Sequence, residues 1–398
     1  MEPDPQIVQE LVLERLGPEF SRDPQPYYAK LREHAPVLRL EGSVTLSRHE
    51  DIMHAFRHPE VFSSKMGAIG LGNVRPLIPL QIDPPDHKKY RKLLDPLFAP
   101  REVARLEADV AALTNDLIDR FVGRGGCEFN GEFAVPLPCT VFLRLLGLPL
   151  DDLDLFLRFK DGIIRPGHGT LDMDEANRIR SETAQEMYAY FEQVLDERER
   201  EPRDDILSGF LDAEVDGDRL SREEILDICF LFLIAGLDTV TDTLDCNFAY
   251  LAQHPDHRRE LVADPALIPS AIEELLRWET PVPGVARVAA FDTEIRGCPI
   301  AEGDMVSIAI GAANTDDAAF PNAQVVDFRR DPNPHLAFGG GVHRCLGSHL
   351  ARLELRVATR EWHRRIPEYR LEEGVELEYT AALRSVEHLP LVWDAPGS

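Results

Sequence analysis

The feature that most constrains the fold is one helical pattern over residues 221–253. Ser221, with Glu224 three residues on, forms a capping box, in which two side chains satisfy the orphan donors of a helix start. Inside the pattern lies the longest apolar run of the chain, 228–237, between Asp227 and Asp238. His254-Pro255 stops it. A helix over 221–253 spans about 50 Å at ~1.5 Å per residue, so the remaining chain must pack around it. The apolar run is about half of what a membrane span requires. It reads as a core helix, and no membrane association is expected.

Helical periodicity also marks 25–34, 49–57, 86–98, 101–122, 139–146, 151–164, 176–200, 270–279 and 346–365. Alternating residues at 37–40 and 44–47, joined by Glu41-Gly42-Ser43, read as a hairpin. Short strands are expected within 285–309 and at 389–393. Residues 63–82 and 312–337 read as irregular, and long loops in compact proteins are often functional. The expected class is mostly α with small β-sheets. No linker, repeat or low-complexity tract interrupts the chain, so 1–398 reads as one domain, with the polar 1–20 as an N-terminal extension carrying no signal peptide.

Charge narrows the function. With 43 Lys+Arg against 70 Asp+Glu, a net charge of -27 argues against binding nucleic acid or anionic lipid. The six cysteines form neither a CxxC nor a Cys/His zinc pattern. They suit a reducing cytoplasm better than a disulfide framework.

One of those cysteines stands out. In Phe338-Gly339-Gly340-Gly341-Val342-His343-Arg344-Cys345-Leu346-Gly347 a cysteine follows three glycines and precedes an amphipathic helix. Free N–H groups and the positive dipole end of a helix start stabilise an anionic sulfur, and the glycines let backbone approach a flat cofactor closely. A lone cysteine after a turn is more often a buried structural residue. Here FxxGxHxCxG is filled at all five positions, which at about 5% usage per residue type happens by chance in roughly one such chain in ten thousand.

A second conflict with ordinary structure lies inside the apolar run, at Ala235-Gly236-Leu237-Asp238-Thr239. Gly236 costs a helix interior about 1 kcal/mol relative to Ala. Thr239 is able to bond back to the helix carbonyls and bend it, and Asp238 places a charge among apolar residues. A kinked helix with a solvated acid is the plain reading; local conflicts of this kind also mark functional sites.

Together the two segments resemble the cytochrome P450 family: Phe338, Gly341, His343, Cys345 and Gly347 match its haem-binding signature, and 235–239 match its (A/G)Gx(D/E)T motif. Gly-Leu-Asp-Thr-Val and the terminal Leu-Pro-Leu-Val-Trp are shared with its camphor-hydroxylating type. The resemblance implies a triangular helical haem domain with a long central helix at 221–253 and a haem-binding loop at 338–347. It implies haem b, with Cys345 as the metal ligand and Phe338, Gly339 and Gly347 beside it. Ala235 and Gly236 would form a groove for O2, Thr239 would hydrogen-bond that O2 through water, and Asp238 would relay protons. His87, Arg91, Arg287 and His343 would bind the haem propionates. Glu274 and Arg277, spaced i, i+3, would be a buried structural pair joined by Arg329 or Arg330, a choice the sequence leaves open. Asn314-Thr315-Asp316 departs from the family's usual Asn-Arg-Asp.

The activity so implied is an oxidoreductase, a monooxygenase inserting one oxygen atom from O2 into a small hydrophobic substrate. The sequence contains no flavin or iron–sulfur domain, so electrons are expected from a separate [2Fe–2S] ferredoxin and its reductase. A patch of Lys88, Lys89, Lys92, Arg344 and Arg352 is the expected docking site on a monomer. The substrate pocket is expected from Met66, Arg75, Ile78, Leu231, Ile234, Val282, Val285, Ala382 and Leu383. One of Asn73, Arg75 and Gln81 is expected to hydrogen-bond the substrate. The alternatives are a peroxide-driven peroxygenase and a non-catalytic haem-binding or sensing protein; the Asp238–Thr239 pair speaks against both.

Overall fold

Helix is the main element of the computed structural model, which describes residues 4–66, 75–169, 172–215 and 217–395. The backbone separates into two compact units. One comprises the chain up to Ser63, Ala104–Ala134 and Thr239 onward; the other comprises Ser64–Val103 and Val135–Asp238.

The first unit is built on a five-stranded sheet in the order Val37–Leu40, Ser43–Leu46, Met305–Ile308, Val285–Ala289, Phe62–Ser63. All pairings are antiparallel except that of Met305–Ile308 with Ser43–Leu46. Gly42, at φ +68°, closes the expected hairpin. Alternation sends Val44, Leu46, Val306 and Ile308 into one core with Ile52 and Phe56 of the helix His49–Arg57. A second sheet joins Arg370–Leu371, Pro390–Val392 and Gly126–Glu128. Nearby, the helix Ser348–Arg365 packs on Glu107–Asp119 and Ile268–Glu279. Its fully buried Trp362 is ringed by Phe121, Phe129, Phe133, Phe248, Tyr369 and Trp393, with centroids 5.0–5.9 Å away. From residue 4 the expected N-terminal extension is helical. Helices Pro5–Leu16 and Pro18–Arg22 bury Leu11 and Phe20. Proline opens both, because at the first helical positions the missing N–H is not needed. The same rule makes Pro255 the start of the helix Pro255–Ala263 as well as a stop.

The same Ser348–Arg365 helix buries a lone acid. Burial pushes the Glu354 carboxyl up to about 8, and its Oε2 has no hydrogen-bond partner among the described residues. The sign of the linkage follows. Below about pH 4.5 both folded and unfolded states hold the proton and nothing is lost. Between pH 4.5 and 8 only the unfolded state ionises, so stability falls by about 4 to 5 kcal/mol and then levels off. Glu354→Gln should match the parent near pH 4.5 and exceed it by a few kcal/mol at pH 8. Denaturant titration at both pH values checks this; equal slopes for parent and variant would rule it out.

The second unit is a helical pack of Pro136–Leu145, Leu153–Ile164, Met173–Arg200, Ile206–Asp212 and Arg222–Gly236. Its core includes Phe142, Phe156, Phe159 and Phe191, and Phe232 lies edge-on to Phe98 at 5.5 Å. The capping box of Ser221 and Glu224 is formed. The central helix differs from expectation. It runs as Arg222–Gly236 and Asp238–Gln253, interrupted at Leu237. Leu237 itself keeps helical angles, φ -90° and ψ -52°, although it belongs to neither helical segment. Gly236 holds the helix weakly there. Thr243 Oγ1 donates to the Thr239 carbonyl at 2.6 Å, a local substitute within the following segment.

Candidate functional site

In the first unit the segment 338–347 forms a tight loop. The Cys345 N–H donates to the Phe338 carbonyl at 2.8 Å, closing it, and Gly339 and Gly341 take φ +67° and +64°. A Cβ on Gly341 would sit 2.0 Å from the Phe56 carbonyl oxygen, and one on Gly340 2.9 Å from the Phe56 ring. The loop therefore lies flat on the helix His49–Arg57. Helix Ser348–Arg365 starts three residues after Cys345. Of the six cysteines only Cys345 is exposed; Cys127, Cys139, Cys229 and Cys246 are buried, and burial pushes the Cys127 and Cys229 thiols up. The open thiol, at a helix start and behind a glycine turn with no side chains of its own, fits a flat metal-bearing cofactor. Arg287 stands on the strand Val285–Ala289 with its guanidinium 5.7 Å from the Phe56 ring. Phe56 thus brings Arg287 next to the cysteine loop, and His343 lies in the loop's own 3₁₀ turn, Gly341–His343.

Behind the loop, Glu274 and Arg277 are both 0% exposed at their side chains. The pairing is bidentate, Nε to Oε2 at 2.8 Å and Nη2 to Oε1 at 2.7 Å. Arg277 also donates to the Asn314 and Ala323 carbonyls, each at 2.9 Å. Arg330 completes the group, its Nε 3.0 Å from Glu274 Oε2, whereas Arg329 turns to Glu260. The Asp327 N–H and Asn333 Nδ2 add two more bonds to Glu274. Where Asn-Thr-Asp departs from the family pattern, Arg32 from the helix Gln25–His34 supplies a guanidinium, 2.9 Å from Thr315 Oγ1 and 2.6 Å from the Ala312 carbonyl.

In the second unit Asp238 is buried rather than solvated, and two cations meet it. Lys160 Nζ lies 2.9 Å from Oδ1 and Arg165 Nε 3.6 Å from Oδ2. Lys160 also lies 2.7 Å from the half-exposed Asp161. Burial alone would lower the Lys160 ammonium; Asp238 and Asp161 overcome that and raise it. Ala235 and Gly236 are exposed although residues 225–233 of the same helix are buried. A Cβ on Gly236 would meet only Phe142, at 3.7 Å.

His87 and Arg91 share a face of the helix His87–Leu94. Arg91 Nε is 2.7 Å from Asp95. Burial, and then the Arg91 charge, hold the buried His87 below the ordinary imidazole range. Among the expected substrate residues, Arg75 bonds Asp227 at 2.8 Å, and Tyr188 Oη reaches the same carboxylate at 3.2 Å. That places Arg75 one helical turn before Leu231. Burial raises the Asp227 carboxyl, with Arg75 opposing. Gln81 bonds within its own loop: its Oε1 accepts from the Leu77 N–H and its Nε2 donates to the Met66 carbonyl. Asn73 lies outside the described residues. In the first unit the Arg384 N–H donates to the Pro281 carbonyl at 2.8 Å, so Leu383 and Val282 each adjoin a residue of that bond. Ile78 and Leu231 are buried and Ile234 partly so.

Sequence reasoning missed Lys160 and Arg165, and also Glu273, which joins His335 to Arg352. No local period signals them, because each meets a partner more than sixty residues away. None of the helices among the described residues is long and apolar enough to cross a membrane.

The cytochrome P450 family model matches residues 151–266 and 262–362. The steroid C26-monooxygenase of Mycobacterium tuberculosis strain H37Rv is 35% identical over 379 residues, 94% of each chain. The mycinamicin IV hydroxylase/epoxidase of Micromonospora griseorubida is 35% identical over 383 residues, covering 92% of this chain and 94% of that one. The solved structure of cytochrome P450 PksS of the Bacillus subtilis bacillaene polyketide synthase superposes with a TM-score of 0.87 at 30% identity, over 95% of this chain and 99% of that one. Proteins alike to this degree along nearly their full length share a fold and a reaction class, and the chain belongs to the cytochrome P450 family of haem b oxidoreductases.

Proposed function

We propose that Cys345 is the sulfur ligand of the haem and that the chain inserts one oxygen atom from O2 into a hydrophobic small molecule. The observation that carries this reading is the single exposed thiol on a glycine loop at a helix start. When bound, the haem supplies the oxidising chemistry, and thiolate ligation favours O–O cleavage. Arg287 and His343 would donate to the propionate carboxylates as charge-assisted bonds, and the resemblance names His87 and Arg91 on the helix His87–Leu94 as further candidates. His87, held neutral by burial, contributes an N–H rather than a charge. Phe338, Gly339 and Gly347 belong to the loop that carries the sulfur, and Ala235 and Gly236 would form the groove for O2 that the resemblance implies.

Asp238 and Thr239 manage protons. Lys160 and Arg165 meet Asp238 in a buried site, and the half-exposed Asp161, also on Lys160, connects it to solvent. Asp238 then passes a proton at its carboxylate towards the Thr239 hydroxyl through water. Asp238→Asn should slow turnover by roughly a hundredfold, the low end for a positioned acid, and enlarge the solvent isotope effect while leaving substrate binding unaltered. Single-turnover kinetics in H2O and D2O check this; an unchanged rate removes Asp238 from the proton path.

The apolar residues Met66, Ile78, Leu231, Ile234, Val282, Val285, Ala382 and Leu383 favour a hydrophobic substrate, with Arg75 the one charged group among them. The relatives' names, a steroid monooxygenase and a mycinamicin IV hydroxylase/epoxidase, support that class. Electrons come from a separate [2Fe–2S] ferredoxin and its reductase, and the chain works as a cytoplasmic monomer. The test is spectral. Reduced, carbon monoxide-treated protein should absorb at about 450 nm, as thiolate ligation implies, and hydrophobic ligands should shift the ferric haem towards high spin. A protein that takes up haem without that band defeats the Cys345 assignment.

A further inference from the structure

Arg352 is expected from sequence as a docking charge, but its surroundings give it another task. The helix Ser348–Arg365 carries it one turn in, and its side chain turns inward to Glu273 on the helix Ile268–Glu279. The fork is bidentate, Nε to Oε1 at 2.7 Å and Nη2 to Oε2 at 2.8 Å. The second carboxylate oxygen is shared with His335 Nε2 at 2.9 Å, a side chain only 3% exposed. Fixed from below in this way, the guanidinium lies over the Phe338 ring, 4.3 Å from its centroid. Phe338 in turn accepts the Cys345 N–H through its carbonyl at 2.8 Å. A chain of contacts thus runs from Glu273 through Arg352 and Phe338 to the backbone of the cysteine.

We infer that Arg352, clamped by Glu273 and His335, is a positioning residue that holds the Phe338 ring against the Cys345 loop and sets the reduction potential of the centre Cys345 ligates. The inference rests on Cys345 being the ligand. Its physics has two parts. A guanidinium fixed over an aromatic face is held by the ring quadrupole, more strongly when partly desolvated. The Glu273–Arg352 pair also places opposite charges in a medium of low effective dielectric, where each acts over several ångströms. Removing the cation leaves an uncompensated carboxylate behind the sulfur, and removing the carboxylate leaves an uncompensated cation. The two deletions therefore push an electron at the centre in opposite directions. Simple loosening of the loop pushes both the same way.

The experiment is a redox titration of the haem-loaded protein with small-molecule mediators and no protein partner. Arg352→Met should shift the ferric/ferrous equilibrium about tenfold towards ferric, 59 mV for one electron. Glu273→Gln should shift it towards ferrous by a similar factor, and the double variant should return near the parent. Arg352→Lys keeps the charge and loses the planar fork, so it should recover most of the shift and guards against a variant that fails to fold. Potentials unchanged in every variant, or moved in the same direction by both single deletions, overturn the inference. With the band at about 450 nm intact, either result leaves the Cys345 ligand in place; a parent protein lacking that band removes the ligand assignment instead.

Discussion

Cys345→Ala protein is expected to fold, to lack the absorption band at about 450 nm, and to oxidise substrate at least about a thousandfold more slowly, a small part of what enzymes commonly supply. The sulfur is exposed, so its removal deletes little packing, and the change in apoprotein stability should stay within about 0.5 kcal/mol. The contrast is Cys229→Ala. That thiol is wholly buried, so truncation leaves a small void and lowers stability while the spectrum persists. Measuring both variants by circular dichroism and by carbon monoxide difference spectra separates ligation from packing. A Cys345→Ala protein with the parent's spectrum and turnover would contradict the assignment at its root.

Glu274→Ala is expected to be the most damaging change away from the thiol. Glu274 meets Arg277 and Arg330 and accepts from Asp327 and Asn333 as well. Its loss leaves Arg277 buried without its carboxylate, and breaking a buried pair from one side costs about 3 to 5 kcal/mol. The damage should reach the thiol loop, since the Leu336 N–H donates to Asn314 Oδ1 at 2.7 Å and Arg277 holds the Asn314 carbonyl. Expected results are a lower denaturation midpoint and poor retention of haem. Glu274→Asp, which keeps the charge but shortens the reach, should fall between. An alanine variant as stable as the parent would mean the pair is not structural.

How much of this was legible beforehand varies with the range of the interaction. The helix Gln25–His34, the hairpin and the Ser221 capping box are written in neighbouring residues, and they appear where expected. The helix Ile206–Asp212 escaped notice because seven residues display too little period. Pro255 reads as an end because proline breaks a helix interior, although it serves equally well as a beginning. The family signature pointed at Cys345 and Asp238 from composition and order alone. It was silent on Lys160 and Arg165, and on which of two adjacent arginines reaches Glu274. Those are settled by tertiary geometry: Arg330 points in and Arg329 points to Glu260. The interruption at Leu237 was half legible, since Gly236 and Thr239 announced a weak point without revealing that the helix is interrupted there.

The contact between Gly341 and the Phe56 carbonyl limits how this enzyme can be redesigned. Even one methyl group at that position would displace main chain rather than a side chain, so libraries that vary the sulfur-bearing segment gain nothing by sampling it. Val342, which is exposed at the loop surface, tolerates diversity next door. Any engineer seeking new reactivity near the sulfur therefore has freedom on the outer rim of the loop and almost none on its inner seam.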